Sequence, residues 1–411
     1  MTFSKFLNHS KRWILFVLIV GLFSGSASAI FLVSLDWATQ YREQNLWIIA
    51  LLPAGGFLIG WFYYKYGKIS VLGNNLLLQE IYEQKNPVPL RMTPMVLLGT
   101  VLTHLFGGSA GREGTAVQMG GSLADQLSKW FDLSKKERRL ILICGVAGGF
   151  ASVFGTPLAG AFFGLEWMLD RKLNWSSVLP TFLTAFIADW VCQGLWGVGH
   201  TVYEISEVPS HTFINFLWVI PAAIAFGLSG KLFAESTHFF SKLFSKSISY
   251  PPLRPLIGGL LIATFVWISD STEYLGLGVP RIVEAFETPL PWYDFLAKTG
   301  LTSFTLGAGF KGGEVTPLFF TGATLGNALS TWIPLPLSLM AGIGLVGVFS
   351  GATNTPVTCT LMGLELFGME AGFFLALSCV IAYLASGQSS IYSSQDLSKK
   401  PRIFRRNRDK N

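Results

Sequence analysis

Apolar segments interrupted by glycine and proline constrain this chain more than any other feature. Several of these segments are shorter than the roughly 20 residues that a straight membrane-spanning helix needs. The 44 glycines and 19 prolines are typical of discontinuous membrane helices. Backbone broken at membrane depth must be buried in protein or line a cavity. The apolar runs lie at residues 13–35, 46–63, 94–107, 139–169, 178–198, 212–234, 255–269, 296–308, 315–330, 335–364 and 370–386.

The composition is that of an integral membrane protein. Of the 411 residues, 51% are hydrophobic and 13% are charged, and the mean hydropathy is +0.48. An ordinary globular domain contains about 25% charged residues. We therefore predict an all-α integral membrane protein with a single membrane domain, and no enzyme.

The basic residues predict the topology. The formal charge is +6, and seven basic residues lie between Lys399 and Lys410. By the positive-inside rule, segments rich in lysine and arginine face the cytoplasm, so both termini are predicted to be cytoplasmic. The loop 199–211 contains Glu204 and Glu207 without a basic residue, so it is predicted to face outward. The other basic groups are at positions 5, 11 and 12 and at positions 135, 136, 138 and 139. No nucleic-acid role is inferred for the tail.

No pattern in the chain indicates a metal or cofactor site. The five histidines are scattered, and no HExxH helix occurs. The four cysteines stand singly in apolar runs, which is typical of small packing residues. The first apolar run continues through Leu35, so we predict an uncleaved first membrane helix rather than a secretory signal.

A carboxylate lies between glycines where one apolar segment ends and another begins. The run from Gly108 to Thr115 reads GSAGREGT, with Glu113 between Arg112 and Gly114. A charge at membrane depth is expensive and usually functional. The glycines permit a sharp turn that exposes backbone N–H groups at the next helix start, where an anion is favoured. Glu113 is predicted to occupy that anion position; the alternative is a simple helix-terminal acid.

The motif is part of an internal repeat. Residues 145–168 match residues 344–367 at a shift of 199, and residues 111–115 match residues 312–316 at a shift of 201. The second shift aligns Glu113 with Glu314. The first aligns Glu166 with Glu365, which favours a shared structural or cytoplasm-facing role for that pair. Such repeats usually form two halves around a midplane ion site. An inverted relation is predicted, since helix starts from both halves then feed one path; a parallel repeat is the alternative.

The repeat predicts how the chain is divided. The first half of the membrane domain is residues 1–245 and the second half is residues 246–388. Residues 389–411 form a basic tail that is too short for a soluble domain.

The motifs together resemble the CLC family of anion channels and anion/proton antiporters. They are GREG, GGEVTP in the second half, the paired TP…GLE helices and a tyrosine near the C-terminal end. Further details are similar to the fluoride-transporting clade. They are the run Gly73–Leu77 (GNNLL), Thr115 in the usual place of proline, and GGEVTP itself.

The resemblance implies a CLC-like fold of tilted and discontinuous helices in two inverted halves, and it assigns roles. Glu113 becomes the gating and proton-coupling residue, while Asn74 and Tyr392 become side chains that contact the central anion. Gly114, Glu314 and Val315 become the backbone donors. Trp167 occupies the place of the inner proton-transfer acid, so Glu314 is the substitute relay.

The chemistry of fluoride agrees with uncharged donors at the site. Fluoride is small and strongly hydrated, so amide and hydroxyl donors, including Thr316, are expected to replace its water. No lysine is expected in the pore, because a full charge would hold the ion too long.

Each assignment has an alternative. Asn74 would instead cap a helix, and Tyr392 would be an interfacial aromatic. Glu314 would be an acid satisfied by helix-terminal N–H groups. Arg112 would pack against a carboxylate or loop carbonyls rather than attract anions.

The resemblance implies transmembrane fluoride/proton antiport that exports fluoride from the cytoplasm. The alternatives are a chloride channel or chloride/proton antiporter of the same family and, more remotely, a small-metabolite transporter. The expected partners are a monatomic anion, protons and the lipid bilayer of the cell membrane. The resemblance implies a homodimer, with contacts expected through residues 157–169 and 356–367. No cofactor is expected.

Overall fold

A computed structural model describes residues 3–167 and 175–395 of the chain. Within these ranges the protein is helical, with sixteen α-helices and no named strand. The helices are α1 Phe3–Gln44, α2 Leu52–Phe62, α3 Asn74–Glu83, α4 Met92–Leu105, α5 Glu113–Trp130, α6 Lys135–Phe154, α7 Pro157–Glu166, α8 Trp175–Trp190, α9 Phe213–Ser247, α10 Leu253–Ser269, α11 Val279–Glu284, α12 Asp294–Gly307, α13 Val315–Leu329, α14 Leu337–Thr353, α15 Pro356–Phe367 and α16 Gly372–Ala385. The predicted all-α class is confirmed.

The structure contains both long and short apolar helices, as the interrupted runs predict. In the described part of the chain, four helical segments are long and apolar enough to cross a membrane: Arg12–Gln44, Leu46–Leu72, Ser176–Leu195 and Phe213–Ser247. Other apolar helices have only 10–17 residues. Helix α4 is followed by the buried residues 107–111, and α14 ends at the buried residues 353–355, so terminal backbone groups of short helices are available inside the protein.

The order of elements repeats once along the chain. Helices α4, α5 and α6 begin at residues 92, 113 and 135, and helices α12, α13 and α14 begin 202 positions later, at 294, 315 and 337. The long helices α1 and α9 open the two sets. The predicted boundary between residues 245 and 246 falls in the last turn of α9, because that polar stretch is the end of a continuous helix. We propose instead that the second half begins with α9.

Equivalent segments run in opposite directions where the halves meet. Gly111 and Gly313 form an antiparallel bridge. The Gly111 N–H donates to the Gly313 carbonyl at 2.6 Å, and the Gly313 N–H donates to the Gly111 carbonyl at 2.8 Å. This reciprocal pair is the relation that an inverted repeat requires.

A second reciprocal contact joins α7 to α15. The Glu365 carboxylate accepts from the N–H groups of Leu158 and Ala159, each at 2.8 Å. The Glu166 carboxylate accepts from the N–H groups of Val357 and Thr358, at 3.0 and 2.7 Å. Each glutamate therefore caps the N-terminus of the helix in the other half. This confirms the shared structural role predicted for the pair.

Glycine permits the closest helix contacts in both halves. A β-carbon at Gly120 would lie 2.2 Å from the Gly145 carbonyl oxygen, and one at Gly322 would lie 2.2 Å from the Gly344 carbonyl oxygen. Small residues at such contacts let membrane helices approach to backbone distance. The contacts of α5 with α6 and of α13 with α14 therefore fix the helices that begin at the two motif loops.

Gly322→Ala is expected to destabilise the protein. The added methyl group has no space against the α14 backbone, and overpacking of this kind costs about 1–3 kcal/mol. Thermal unfolding of detergent-solubilised protein measures the effect as a lowered midpoint. Gly300→Ala is the matched control, since a β-carbon there meets no atom within 4 Å. Equal midpoints for the two variants would contradict the packing argument.

Candidate functional site

Glu113 lies where the two halves meet. It is the first residue of α5, and its side chain is buried. The carboxylate accepts a hydrogen bond from the Arg112 N–H at 3.1 Å and another from the Thr316 N–H at 3.1 Å. The Thr316 hydroxyl donates to it as well. Glu113 thus places its charge at the N-terminus of α13, a position that favours an anion.

Glycine makes this arrangement possible. A β-carbon at Gly111 would lie 2.8 Å from the Glu113 carboxylate and 2.9 Å from the Gly313 carbonyl oxygen. The Arg112 guanidinium Nε lies 3.8 Å from the same carboxylate. This contact agrees in part with the prediction that Arg112 packs its guanidinium against a carboxylate or loop carbonyls.

Buried basic side chains hold the loop that precedes Glu113. The His104 ring nitrogens lie 2.9 Å from the carbonyl oxygens of Thr100 and Ala110. The Arg42 guanidinium donates to the His104 carbonyl at 2.9 Å. Nearby, the fully buried Lys298 ammonium donates to the Gly276 carbonyl at 2.8 Å. These hydrogen bonds to backbone carbonyls satisfy the buried side chains and fix the loop.

The structure corrects the alignment of Glu113 with Glu314. Gly111 pairs with Gly313, and Arg112 and Glu314 are the residues that precede α5 and α13. The structural shift is therefore 202, and Glu314 corresponds to Arg112 rather than to Glu113. Over residues 111–115, a shift of 201 gives three sequence identities and a shift of 202 gives one, but the shift of 201 moves the register by one residue. The two carboxylates accordingly lie in different surroundings.

Glu314 lines a cavity of about 270 Å³ that is separate from the contacts of Glu113. Asn74 and Tyr392 line the same cavity. The structure therefore brings together three of the side chains that the sequence assigned to the site. Gly114 and Val315 lie at the adjoining helix starts of α5 and α13.

Asn74 lies beside the backbone of the first motif and does not cap its own helix. Helix α3 begins at Asn74, and its N-cap residue, Gly73, has φ +57° with no side-chain cap hydrogen bond. The Asn74 side-chain nitrogen would lie 2.9 Å from a β-carbon at Gly114. The capping alternative is therefore wrong, and the amide lies next to the start of α5.

Tyr392 is a packed residue and not an interfacial one. Its side chain is buried, and its ring meets the edge of the Trp167 ring with centroids 5.2 Å apart. The neighbouring Ile391 N–H donates to the Ala352 carbonyl, and the Gln395 side chain donates to the Trp167 carbonyl. Residues 389–395 were predicted as part of the tail, but these contacts build them into the membrane domain. The rest of the tail lies outside the described residues.

Trp167 forms an apolar wall at the place where an inner acid was considered. The side chain is fully buried, and it stacks on Phe163 with centroids 5.4 Å apart. Its indole nitrogen has no partner in the described part of the chain. A proton therefore has no carboxylate at this position, which leaves Glu314 as the acidic side chain that lines the cavity.

Comparisons with known proteins agree with this geometry. The family model described as voltage gated chloride channel matches residues 55–387. The chain belongs to the CLC family. A chloride/fluoride channel protein of Pseudomonas syringae pv. tomato is 50% identical over 395 residues, which are 95% of this chain and 87% of that relative.

Solved CLC structures have the same fold. The crystal structure of a CLC-type fluoride/proton antiporter superposes with a TM-score of 0.91 and is 35% identical, covering 96% of this chain and 99% of that one. A slow cyanobacterial Cl⁻/H⁺ antiporter gives a TM-score of 0.79 at 20% identity, covering 91% of this chain and 94% of that one. The second likeness concerns the fold alone.

Sequence reasoning missed several residues of this CLC cavity. Lys311, Gln118 and His238 line it, although no lysine was expected there. Lys311 directly precedes the glycine pair of the second motif, so its position along the chain was visible. The direction of its side chain depends on packing against α4 and against Tyr63, which directly follows α2, and no local pattern indicates these contacts.

Thr316→Val is expected to reduce anion flux through this CLC protein. The variant removes a hydroxyl donor from the position at the start of α13 that Glu113 occupies here and that an anion would take in its place, but it keeps the backbone N–H. Because a hydrogen bond to a charged group contributes about 1.5–3 kcal/mol, we expect roughly a tenfold loss or more. Anion efflux from proteoliposomes measures it. Thr324→Val is the control, since that hydroxyl donates to the Phe320 carbonyl within α13; the two variants should differ clearly.

Proposed function

We propose that this CLC protein exchanges fluoride for protons and exports fluoride from the cytoplasm. The position of Glu113 is the observation that carries the proposal. Its carboxylate accepts from the Thr316 N–H and hydroxyl at the start of α13. When ionised it occupies the place of an anion among these donors. When protonated it has no charge to hold it there, so one residue alternates between anion and proton exchange.

Uncharged donors around the path support fluoride as the substrate. Asn74 supplies an amide, and Thr316 and Tyr392 supply hydroxyl groups. Such groups replace the water of a small anion without the tight hold of a full charge. The similarity to a chloride/fluoride channel protein and to a CLC-type fluoride/proton antiporter agrees with this choice.

Glu314 is proposed as the inner proton relay. Its carboxylate lines the cavity that also holds Asn74 and Tyr392. Glu113 instead contacts the helix start of the other half. In this proposal a proton that leaves Glu113 passes to Glu314, because Trp167 offers no titratable group.

The basic face of the domain is proposed to be cytoplasmic, in the cell membrane. The Arg12 guanidinium donates to the Phe131 carbonyl at 3.0 Å and lies 3.8 Å from the Glu137 carboxylate. The start of α1 and the basic segment 135–139 therefore share one face. Arg112 and Thr201 line a different cavity, of about 600 Å³, which we assign to the outer side.

Two copies are proposed to associate, each with its own pathway. Helices α7 and α15 pack on each other within one chain, but Leu158 and Val357 at their starts remain exposed. Leu179 on α8 and Phe373 on α16 are 66% and 72% exposed. These side chains extend the contact that was predicted for residues 157–169 and 356–367. Residues 168 and 169 lie outside the described residues.

A chloride channel or chloride/proton antiporter is the second candidate within the family. An H⁺/Cl⁻ exchange transporter of Cronobacter sakazakii is 24% identical over 397 residues. Efflux of fluoride and of chloride from proteoliposomes, with internal pH recorded at the same time, distinguishes the candidates. Fluoride efflux accompanied by proton uptake is expected, and equal chloride efflux would contradict the selectivity.

Glu113→Gln is expected to uncouple the two ions. Glutamine is neutral at every pH, so anions pass without a proton exchange at this position. Fluoride efflux should continue, and the accompanying change of internal pH should disappear. Proton-driven fluoride accumulation that persists in this variant would contradict the role of Glu113.

Glu314→Gln is expected to slow proton transfer more than anion passage. The change keeps the shape of the side chain but removes its titratable group from the inner cavity. The ratio of protons to fluoride should fall in simultaneous recordings. Glu235→Gln is the control, because that carboxylate on α9 is 61% exposed and pairs with Lys231 at 3.8 Å. A wild-type ratio in Glu314→Gln would exclude the relay.

A further inference from the structure

Lys311 is a charged side chain that the mechanism has not used. It lies in the loop between α12 and α13, and it lines the cavity of Glu314, Asn74 and Tyr392. Its ammonium lies 4.3 Å from the centroid of the Tyr63 ring. Its stem packs on α4, where a β-carbon at Gly99 would lie 3.1 Å from the stem carbons. In the described part of the chain no ion pair forms within 4.0 Å of it.

The cavity therefore holds one carboxylate and one ammonium that are not paired directly. The other titratable groups that line it are His238, Tyr63 and Tyr392. His238 is engaged, since its Nε2 lies 2.8 Å from the Ser390 carbonyl oxygen. An anion that enters this space meets the charge of Glu314 whenever that side chain is ionised. Two negative charges a few ångströms apart in a cavity of about 270 Å³ repel each other strongly.

We propose that Lys311 is the positioning residue that lets an anion enter the cavity while Glu314 is ionised. Its charge compensates one of the two negative charges and draws anions in from the cytoplasmic side. The identity of the anion and the side of entry rest on the function proposed above. The role of Lys311 itself rests on its place in the cavity.

Tyr63 explains why this lysine does not trap the anion. The ring face stabilises the ammonium through a cation–π contact, worth up to about 2 kcal/mol when desolvated. The ammonium is thereby held against a wall of the cavity and away from the uncharged donors. It raises the local anion concentration without becoming a ligand, so entry is favoured and release remains possible.

Lys311→Met tests the proposal. Methionine keeps the stem that packs on Gly99 but removes the charge. The fluoride concentration that gives half-maximal efflux from proteoliposomes should rise roughly fivefold to tenfold, with a smaller change in the maximal rate. Lys311→Arg should retain a near wild-type value. An unchanged half-maximal concentration in Lys311→Met would overturn the proposal.

A matched control separates the effect of a charge that lines the cavity from the effect of a charge that lies outside it. The Lys65 ammonium also lies over aromatic rings, 5.0 Å from the Trp61 centroid and 5.3 Å from the Tyr66 centroid. Lys65 does not line the cavity. Lys65→Met should therefore transport as the wild type does. An equal effect of the two methionine variants would mean that surface charge explains the result, which overturns the proposal.

Tyr63→Leu provides an independent measurement if Lys311→Met fails to fold, as judged by its elution in detergent. Without the ring the ammonium can approach the anion, so the half-maximal concentration should fall and the maximal rate should fall with it. Wild-type values in Tyr63→Leu would overturn the proposal.

Failure of the proposed function can be distinguished from failure of the role of Lys311. If the proposed function fails, the wild-type protein carries chloride or lacks proton coupling, while the effect of Lys311 on anion entry persists.

Discussion

The pairing of Gly111 with Gly313 is the contact on which the site depends. It brings the starts of α5 and α13 against each other, so that the positive ends of two helix dipoles meet inside a membrane domain. The two positive helix ends repel each other unless a negative charge lies between them. Glu113 supplies that charge in this structure, and the proposed mechanism follows because a transported anion can supply it instead.

The two carboxylates of the site are not equivalent, and their difference gives the path a direction. Glu113 lies at the junction of the halves and contacts Thr316. Glu314 precedes α13 and faces a cavity with Asn74 and Tyr392. Because the halves are related by a shift of 202 at this point, a single residue of register separates the proposed gate, Glu113, from the proposed relay, Glu314. The proposed difference between the two roles therefore begins in the sequence of the two loops.

Basic side chains are buried close to this junction. Lys298 and His104 bind backbone carbonyls, and Lys311 lies over an aromatic ring. A charge in a membrane domain is costly unless dipoles or counterions stabilise it. Lys311 lines the cavity, and on the role proposed for it its charge gives the cavity a positive potential. An anion pathway lined mainly by neutral donors benefits from that potential.

The sequence by itself determined the membrane class, the short broken helices and the two-fold repeat, and it selected Glu113, Asn74 and Tyr392 as candidate site residues. It could do so because hydropathy, glycine spacing and motif order are local properties of the chain. Only the tertiary structure decided the register of Glu314, the packing of residues 389–395 and the presence of Lys311 in the cavity. These depend on contacts between residues far apart in sequence. The helix dipoles of one half act on a carboxylate of the other only after the halves have packed together.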